Sequence, residues 1–450
     1  MYLFKNIIIR YSWLVKSNIA FFILIFVPIF FITPVHSQAL EKYIHQKDTC
    51  FQWKCIEQKK MRDATVSHLE MISQTWQGLS WNHHLQVLRP NVVRHPEIVF
   101  LFVTGDGDGS RDLELLYLIA QRAGAVSAVI TKIPNQPLFD NLKEDALIAY
   151  TLDQYLKTED ETWPLLFPMV KSVVYGMDAI QAFIRKEYHQ KVDIFAVSGA
   201  SKRGWTAWLT GAVDSRVVAI APMVIDMLNM KAQTGWAKKM YGRQSEQISD
   251  YTNLNLVERM DNPLMVKLRE WIDPYSYRQR YTMPKLLLLG TNDPYWVVDS
   301  LRHYWNDLPE PKLVYQTPNA GHNLGDGKDA LRTLAAWFQM IADGQKLPKV
   351  EWQIKDGADG PVRITMRADQ PVKKFRLWTA LSDDRDFRND TWSNCELETE
   401  KNHRQASMDI ATPRTGFKAF FAEAEFVSPA GDTYKLSTQV QVVPDNINKR

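Results

Sequence analysis

Apolar runs alternate with amphipathic segments through most of the chain. Continuous apolar runs, typical of strands buried on both faces of a parallel sheet, occur at 97–103, 126–130, 192–197, 217–221, 285–289 and 313–315. Segments with helical periodicity separate most of these runs, and an earlier stretch, 54–87, contains alternating segments typical of antiparallel strands. This order predicts an α/β domain with a mostly parallel, doubly wound sheet over 38–345.

Two other regions depart from this pattern. The segment 226–281 is a long, aromatic-rich insertion before the next sheet strand, and it is predicted to form a helical lid. For most of its aromatic residues, the alternative is simple packing on the sheet. From about residue 346, short alternating segments separated by Gly- and Asp-rich turns predict a small, immunoglobulin-like β-sandwich over 346–450. Its predicted strands are 350–354, 362–366, 374–378, 417–426 and 434–443.

The N-terminus has the pattern of an export signal. Lys5, Arg10 and Lys16 precede an apolar run, 19–33, and small residues suited to cleavage follow at Val35 and Ser37. Residues 1–37 are therefore predicted to be a signal peptide of a periplasmic or secreted protein. The alternative is an uncleaved membrane anchor, which the shortness of the run disfavours because a bilayer-spanning helix needs roughly 20 apolar residues.

Composition narrows the class of protein further. The chain has 450 residues, 45% of them hydrophobic, and a formal net charge of +3 without a long basic tract, so a nucleic-acid partner is not expected. Cys50 and Cys55 could close a small disulfide loop in an oxidising compartment, which would leave Cys395 unpaired. Neither a second Cys pair nor a His pair stands at ligand spacing, so neither a metal nor another cofactor is expected.

The strongest chemical signal follows the run 192–197. This run leads through Gly199 to Ser201 and then directly into a helical pattern, an arrangement that presents a serine nucleophile to a base and to oxyanion-binding amides. The motif departs from Gly-x-Ser-x-Gly because Arg203 stands two residues after the serine and the second glycine is Gly204. The alternative is an ordinary turn with a serine helix cap.

An acid and a base follow in the chain order that such a hydrolase requires. Asp293 lies in the turn after the run 285–289, and His322 lies in the loop after 313–315. Asp299 is an alternative acid, and a lone loop histidine is often only a solvated side chain. Three residue types in the correct order, each after a predicted strand, predict a Ser201–Asp293–His322 triad.

The loop after the first parallel strand has two interpretations. In this type of hydrolase it donates one oxyanion amide, here at Gly105 or Asp106, and the residue after the nucleophile, Lys202, donates the other. The acidic residues of 106–112 also resemble half of a calcium loop, but the glycine and glutamate of the full motif are missing. Asp106 is expected to face solvent or to pair with a base such as Lys202 or Arg203.

Three residues near the proposed chemistry are candidates for substrate binding. Arg203 and Trp205 follow the nucleophile, and Tyr295 follows the candidate acid. The cations at 202 and 203 stand where the helix dipole slightly disfavours positive charge, which favours a functional or ion-pair role over simple solvation.

Several longer sequence segments resemble those of one family. The segments PNQPL (134–138), EDALIAY (144–150), VSGASKRGW (197–205), DPY (273–275) and PNAGH (318–322) resemble the PhoPQ-activated pathogenicity-related protein family. The resemblance extends from about residue 40 into the C-terminal region. It implies an exported, virulence-associated protein of bacterial type with an α/β-hydrolase fold, related to the autocrine proliferation repressors of amoebae. The serine segment alone also resembles that of glucuronoyl esterases, in which a basic residue after the nucleophile assists the oxyanion hole.

The combined expectation is an exported serine hydrolase that forms an acyl-enzyme on a small-molecule or peptide substrate. A carboxylic ester is the first choice of substrate, and a peptide is the second. A non-catalytic secreted binding or signalling protein on the same fold is the competing class. Contact with a membrane is expected only through an uncleaved signal segment.

Overall fold

The computed structural model describes residues 38–355, 361–399 and 402–445. The predicted signal peptide, 1–37, lies outside these residues. In the described ranges the chain forms a nine-stranded sheet flanked by helices and, after it, two smaller antiparallel sheets. Throughout these ranges, every helix is too short or too polar to cross a membrane.

The first part of the large sheet is antiparallel. Helix α1 (Gln38–His45) precedes strands β1 (Gln52–Lys60), β2 (Ala64–Trp76) and β3 (Leu79–Pro90). Strand β2 pairs antiparallel with both β1 and β3, as the alternation in 54–87 predicted. Strand β1 forms the edge of the sheet and is exposed along nearly its whole length.

The parallel strands lie within a few residues of their predicted positions. They are β4 (His95–Val103), β5 (Ala125–Ile130), β6 (Ile194–Ala200), β7 (Val217–Met223), β8 (Lys285–Gly290) and β9 (Lys312–Thr317). The order across the sheet is β1-β2-β3-β5-β4-β6-β7-β8-β9. With β1 set aside, this is the order of an α/β-hydrolase fold, so the predicted fold class is confirmed.

Helices connect most of the parallel strands. Those before the insertion are α2 (Leu113–Ala123), α3 (Glu144–Thr158), α4 (Leu166–Tyr188) and α5 (Lys202–Val213). The insertion between β7 and β8 contains α6 (Met230–Tyr241), α7 (Ser249–Thr252), α8 (Pro263–Ile272) and a 3-10 helix, Pro274–Arg280. Helix α9 (Lys328–Ala342) follows β9.

The sheet has a hydrophobic core on each face because successive side chains of a strand point in opposite directions. On β4, Leu101 belongs to a buried cluster that includes residues of α3, α4, α5 and the insertion. Its neighbour Phe100 belongs to a second cluster with residues of α2 and α9. The continuous apolar runs of the sequence therefore correspond to strands covered on both faces.

The C-terminal region contains more strands than the sequence pattern predicted. They are β10 (Val350–Lys355), β11 (Val362–Ala368), β12 (Lys374–Ser382), β13 (Ser393–Glu396), β14 (Gln405–Ile410), β15 (Phe417–Val427), β16 (Thr433–Ser437) and β17 (Gln441–Val443). One sheet has the order β10-β11-β14, and the other has the order β13-β12-β15-β16 with β17 paired to β15. Strands β13 and β14 were missed, and the predicted segment 434–443 is two strands.

The two parts of the chain share hydrophobic core. Phe338 of α9 lies in the same buried cluster as Phe375 of β12 and Phe420 of β15. The domain boundary near residue 346 stays a prediction. The sequence left open whether Cys50 and Cys55 form a disulfide. In the structure they do not, since both are free thiols.

Candidate active site

Ser201 occupies a strained turn between β6 and α5. Its φ of 56° and ψ of −127° lie outside the usual regions for a residue with a side chain. Its N–H donates to the carbonyl of Met223 at 2.9 Å, and its carbonyl accepts from the N–H of Trp205 at 3.0 Å. A Cβ atom at Gly199 would lie 2.8 Å from the backbone of Arg203, so only glycine fits this tight turn.

Asp293 and His322 form a hydrogen-bonded pair at the carboxyl ends of β8 and β9. Nδ1 of His322 lies 2.8 Å from Oδ2 of Asp293, which places the Nδ1 proton on the carboxylate side. The other carboxylate oxygen of Asp293 accepts from the N–H of Tyr295 at 3.0 Å. Nε2 of His322 is buried and has no hydrogen-bond partner among the described residues, so its lone pair is available for a proton.

Tyr295 connects this pair to the serine. Its ring lies 4.3 Å from the imidazole of His322, centroid to centroid. Tyr295 and Ser201 line one cavity of about 120 Å³, together with Trp205. Because the carboxyl ends of parallel strands lie at one edge of a sheet, the residues after β6, β8 and β9 are on the same edge. Nε2 of His322 makes no hydrogen bond to Ser201 in this structure.

The cavity is mainly apolar, and most of its wall comes from the insertion. The apolar and aromatic side chains that line it are Leu152, Trp205, Ile225, Met227, Met230, Ile248, Tyr251, Leu256, Val257, Met260, Met265, Ile272, Tyr295 and Trp296. Asp145, Lys202, Gln233 and Arg269 are polar or charged residues that line the same cavity as Ser201. Such a lining suits an apolar ligand group held near a few oriented polar atoms.

The ammonium group of Lys202 is held between two carboxylates. Nζ lies 3.0 Å from Oε2 of Glu144 and 3.0 Å from Oδ2 of Asp145, and its side chain is only 9% exposed. Asp145 also accepts hydrogen bonds from the hydroxyls of Tyr251 and Tyr295, at 3.0 and 3.5 Å. Burial, with the nearby charge of Asp145, raises the pKa of Tyr295 to about 12, so this hydroxyl stays protonated.

Arg203 points away from the cavity and joins three segments. Nε donates to the carbonyl of Ile133 at 2.5 Å, and Nη1 and Nη2 donate to both carboxylate oxygens of Glu144. The guanidinium packs so closely on Gly105 that a Cβ atom there would overlap it. Burial raises the pKa of Glu144, but the hydrogen bonds and charge of Arg203, with Lys202, outweigh burial and lower it to about 2.

Sequence comparison identifies the family. The model of the PhoPQ-activated pathogenicity-related proteins matches residues 40–388. The chain belongs to this family. The family resemblance read from the sequence is therefore confirmed. Autocrine proliferation repressor protein A of Dictyostelium discoideum is a relative of this chain, 31% identical over 461 residues and matched over 92% of each chain.

The solved structures to which this chain is similar are more distant in sequence. Acetyl xylan esterase 1 from Thermoanaerobacterium sp. JW/SL YS485 is 17% identical, with a TM-score of 0.47 over 68% of this chain and 94% of that one. The glucuronoyl esterase from Solibacter usitatus is 12% identical, with a TM-score of 0.40 over 67% of this chain and 91% of that one.

The predicted residues take different positions in this family member. Ser201, Lys202, Trp205 and Tyr295 line the cavity, and Arg203 does not. Trp205 is largely fixed by its own hydrogen bond, from Nε1 to the carbonyl of Ile272 at 2.5 Å.

The loop after β4 differs in part from expectation. Asp106 is exposed and lies 3.8 Å from Lys143, as measured from Oδ2 to Nζ. Lys202 and Arg203 instead pair with Glu144 and Asp145. Among the described residues, including the acidic segment 106–112, no three His, Cys, Asp or Glu side chains are grouped so that they could hold a metal ion.

Three acidic residues, Glu144, Asp145 and Asp226, were not among the site residues predicted from the sequence. Glu144 and Asp145 appeared only within the family-specific segment EDALIAY. Two adjacent acids, together with the two adjacent cations after the nucleophile, were nevertheless a usable signal of ion pairing. Asp226 is buried, and burial raises its pKa to about 7 although its carboxylate accepts a hydrogen bond from Tyr304 at 2.7 Å. Asp299, the alternative acid, pairs with Arg385 rather than with His322.

Proposed function

We propose that this protein is an exported serine hydrolase that cleaves carboxylic esters bearing an apolar group of modest size. The observation that carries the proposal is the strained Ser201 turn in the same cavity wall as Tyr295, whose ring contacts His322. Strain at a solvent-accessible serine between a strand and a helix is typical of a nucleophile held for attack.

The side chains support an acyl-enzyme mechanism. In the first step, the proton of Ser201 Oγ moves to Nε2 of His322 while Oγ bonds to the acyl carbon. Asp293 keeps the imidazole oriented through Nδ1 and stabilises its positive charge. The tetrahedral intermediate then breaks its bond to the alkoxy group, which leaves as an alcohol with the proton from His322. A water molecule, deprotonated by His322, releases the acid and restores Ser201.

Backbone amides are proposed to hold the oxyanion. Lys202 is the first residue of α5, and the first N–H groups of a helix lack an acceptor within the helix. Gly105 and Asp106 lie in the loop after β4, separated from the strand by Thr104, where the second amide donor is expected. The Lys202 ammonium adds positive potential beside Ser201, although Glu144 and Asp145 balance most of its charge.

The cavity supports a substrate with an apolar acyl or alcohol group. An engineered protein cavity of roughly 150 Å³ accommodates benzene, so a cavity of about 120 Å³ suits a group of about four to six carbons. The methionines that line it, including Met227 and Met230, are flexible and adapt to different ligand shapes. A peptide with an apolar side chain at the cleaved bond remains the second substrate class.

Labelling with a fluorophosphonate tests the nucleophile. The purified mature protein is expected to react at Ser201, as shown by intact mass and peptide mapping, and Ser201→Ala and His322→Ala should lose labelling. Ser198→Ala is the matched control because Ser198 lies three residues earlier but is buried and donates to the carbonyl of Ala221 at 2.6 Å. Folded wild-type protein that does not react would contradict the proposal.

A panel of p-nitrophenyl esters from acetate to decanoate tests the substrate class. The rate is expected to rise to an acyl length of about four to six carbons and then fall, by the size comparison above. Met227→Trp should fill the cavity and move the preference toward acetate. The control is Met61→Trp, because Met61 is 40% exposed and lies outside the cavity. Equal length profiles for both variants would show that the cavity does not bind the acyl chain.

Export and a link to virulence are proposed on other grounds. The basic, apolar and small-residue order of 1–37 supports cleavage after Ser37, and the description of the family supports the association with pathogenicity. Mass spectrometry of the N-terminus from periplasmic and secreted fractions tests the cleavage. A chain that retains Met1 in the membrane fraction would favour the anchor.

A secreted signalling protein is the second candidate function. The name of the relative in Dictyostelium discoideum describes a proliferation repressor, and this chain matches 92% of it. The two candidates differ in their dependence on Ser201. A biological effect that survives Ser201→Ala would require a binding surface and not the proposed chemistry.

A further inference from the structure

A loop of the C-terminal region contacts the segment that carries Asp293. This loop, 383–392, connects β12 and β13 and contains the 3-10 helix Phe387–Asn389. The side-chain amide of Asn292 donates to the carbonyls of Phe387, Arg388 and Asp390 at 3.1, 3.3 and 2.7 Å. Asn292 directly precedes Asp293, so these bonds fix the backbone next to the proposed orienting acid.

The same loop also contacts the segment that carries His322. The amide of Asn319 donates to the carbonyl of Trp392 at 2.9 Å, and its oxygen accepts from the N–H of Trp392 at 2.7 Å. Asn319 has a φ of 56° and lies three residues before His322. One loop, distant in sequence, therefore makes hydrogen bonds on both sides of the Asp293–His322 pair.

Hydrophobic anchors give this loop a defined position. The side chains of Phe387 and Trp392 are buried in a small cluster with Phe417 and Phe421 of β15. Arg385 is fully buried, and its Nη2 lies 2.7 Å from Oδ2 of Asp299, which follows Asp293 by six residues. The loop therefore has the rigidity that is needed to orient other groups.

The two segments also bond directly to each other. The N–H of Asn292 donates to the carbonyl of Ala320 at 2.9 Å, and the N–H of Asn319 donates to Oγ1 of Thr291 at 3.0 Å. These bonds hold the segments side by side. The Asn292 and Asn319 side chains then attach both segments to the same external support.

We propose that loop 383–392 is a positioning element that sets the alignment of Asp293 with His322. The C-terminal region would thereby be part of the catalytic architecture, and Asn292 and Asn319 would be positioning residues. This inference rests on the proposed hydrolase function for its effect on rate. Its effect on the hydrogen bond between Asp293 and His322 can be measured independently. Displacement by about 1 Å can reduce a reaction rate about a hundredfold.

Asn292→Asp is the most direct test because it keeps the shape of the side chain and replaces the amide donor with a carboxylate oxygen facing three carbonyls. We expect labelling of Ser201 by a fluorophosphonate to slow at least about tenfold. The downfield proton signal of the hydrogen-bonded His322 Nδ1–H should shift upfield or broaden through exchange with water. Asn292→Gln retains an amide donor and should recover part of both losses.

Asn91→Asp is the matched control. Like that of Asn292, the side-chain amide of Asn91 donates to a backbone carbonyl, that of Arg62 at 2.9 Å. This bond, however, lies in an exposed turn outside the proposed site. This variant should keep the wild-type labelling rate and imidazole signal. A wild-type rate and signal in folded Asn292→Asp would overturn the inference. The absence of labelling in wild-type protein would instead overturn the proposed function, while the imidazole signal would still test the positioning role.

Asn319→Gly gives a second test that does not depend on the folding of the first variant. Glycine accepts the positive φ without strain but removes both hydrogen bonds to Trp392. A smaller slowing of labelling, about threefold, and the same direction of change in the imidazole signal are expected. Asn141→Gly is its control, since Asn141 is exposed with a φ of 73°. Identical behaviour of the two glycine variants would contradict the role of Asn319.

Discussion

Arg203 and Glu144 are joined at two points, with Nη1 to Oε2 at 2.6 Å and Nη2 to Oε1 at 2.7 Å. Because Arg203 also bonds to Ile133 and packs on Gly105, this pair connects the helix after Ser201 to α3 and to the loop after β4. A planar guanidinium is needed for this geometry, since an ammonium group cannot make the same two parallel hydrogen bonds.

The first prediction concerns Arg203→Lys. This change keeps the charge but loses the two-point pair and the packing on Gly105, so unfolding should become easier by about 1–3 kcal/mol. Labelling of Ser201 should slow about tenfold because the proposed oxyanion loop is released. Chemical denaturation and labelling kinetics measure the two effects.

Arg363→Lys is the control for that substitution. Arg363 also pairs at two points, with Asp409 at 2.7 and 2.8 Å, but on the exposed surface. Little change in denaturation or labelling is expected because exposed ion pairs contribute little to stability. Equal losses in both variants would remove any special role for the Arg203 pair.

The second prediction concerns acid stability. The pKa of Glu144 is lowered from its usual 4.5 to about 2, so the unfolded state takes up a proton at higher pH than the folded state. The stabilisation by Glu144 is therefore present above about pH 4.5 and is lost as the pH falls toward 2. With its side chain 39% exposed, solvent screening reduces the effect to about 1–2 kcal/mol. Urea unfolding of wild type and Glu144→Gln should differ most near pH 6 and converge near pH 2.

The third prediction concerns Asp226, whose pKa burial raises from 3.8 to about 7. The unfolded state loses this proton first, so wild-type stability should fall as the pH rises from about 4 to 7. Asp226→Asn removes the titration and can still accept the Tyr304 hydrogen bond. Relative to wild type, the variant should gain about 2 kcal/mol between pH 5 and 7. A constant difference across that interval would show that Asp226 is ionised throughout.

The fourth prediction concerns Gly290, at the end of β8. A Cβ atom there would overlap the carbonyl oxygens of Ala320 and Gly321 in the His322 loop. Since backbone atoms on both sides must move, Gly290→Ala should cost about 2–3 kcal/mol and slow labelling. Gly235→Ala, in α6, meets no atom within 4 Å and should raise stability by up to about 1 kcal/mol through helix propensity. Thermal unfolding of both variants measures the contrast.

The order of secondary structure elements could be predicted because its signals are local. Continuous apolar runs, separated mostly by segments with helical spacing, placed all six parallel strands, and the turns after them supplied Ser201, Asp293 and His322 as candidates. The weaker parts of the prediction lay in the C-terminal region. Strand β13 has only four residues, all exposed, so its burial pattern contains no alternation for a sequence pattern to detect.

The sequence by itself determined the fold class and the family, and it supplied the three residue types of the proposed triad in their chain order. The tertiary structure decided which groups meet. It paired His322 with Asp293 and Asp299 with Arg385, turned Arg203 to Glu144, and placed Phe387 beside Asn292 across 95 positions of sequence. The periodicity of a segment shows which of its own residues face the core. The pairings, in contrast, depend on how segments distant in sequence pack together. That packing minimises unpaired buried charge and polar groups only when the whole chain has folded.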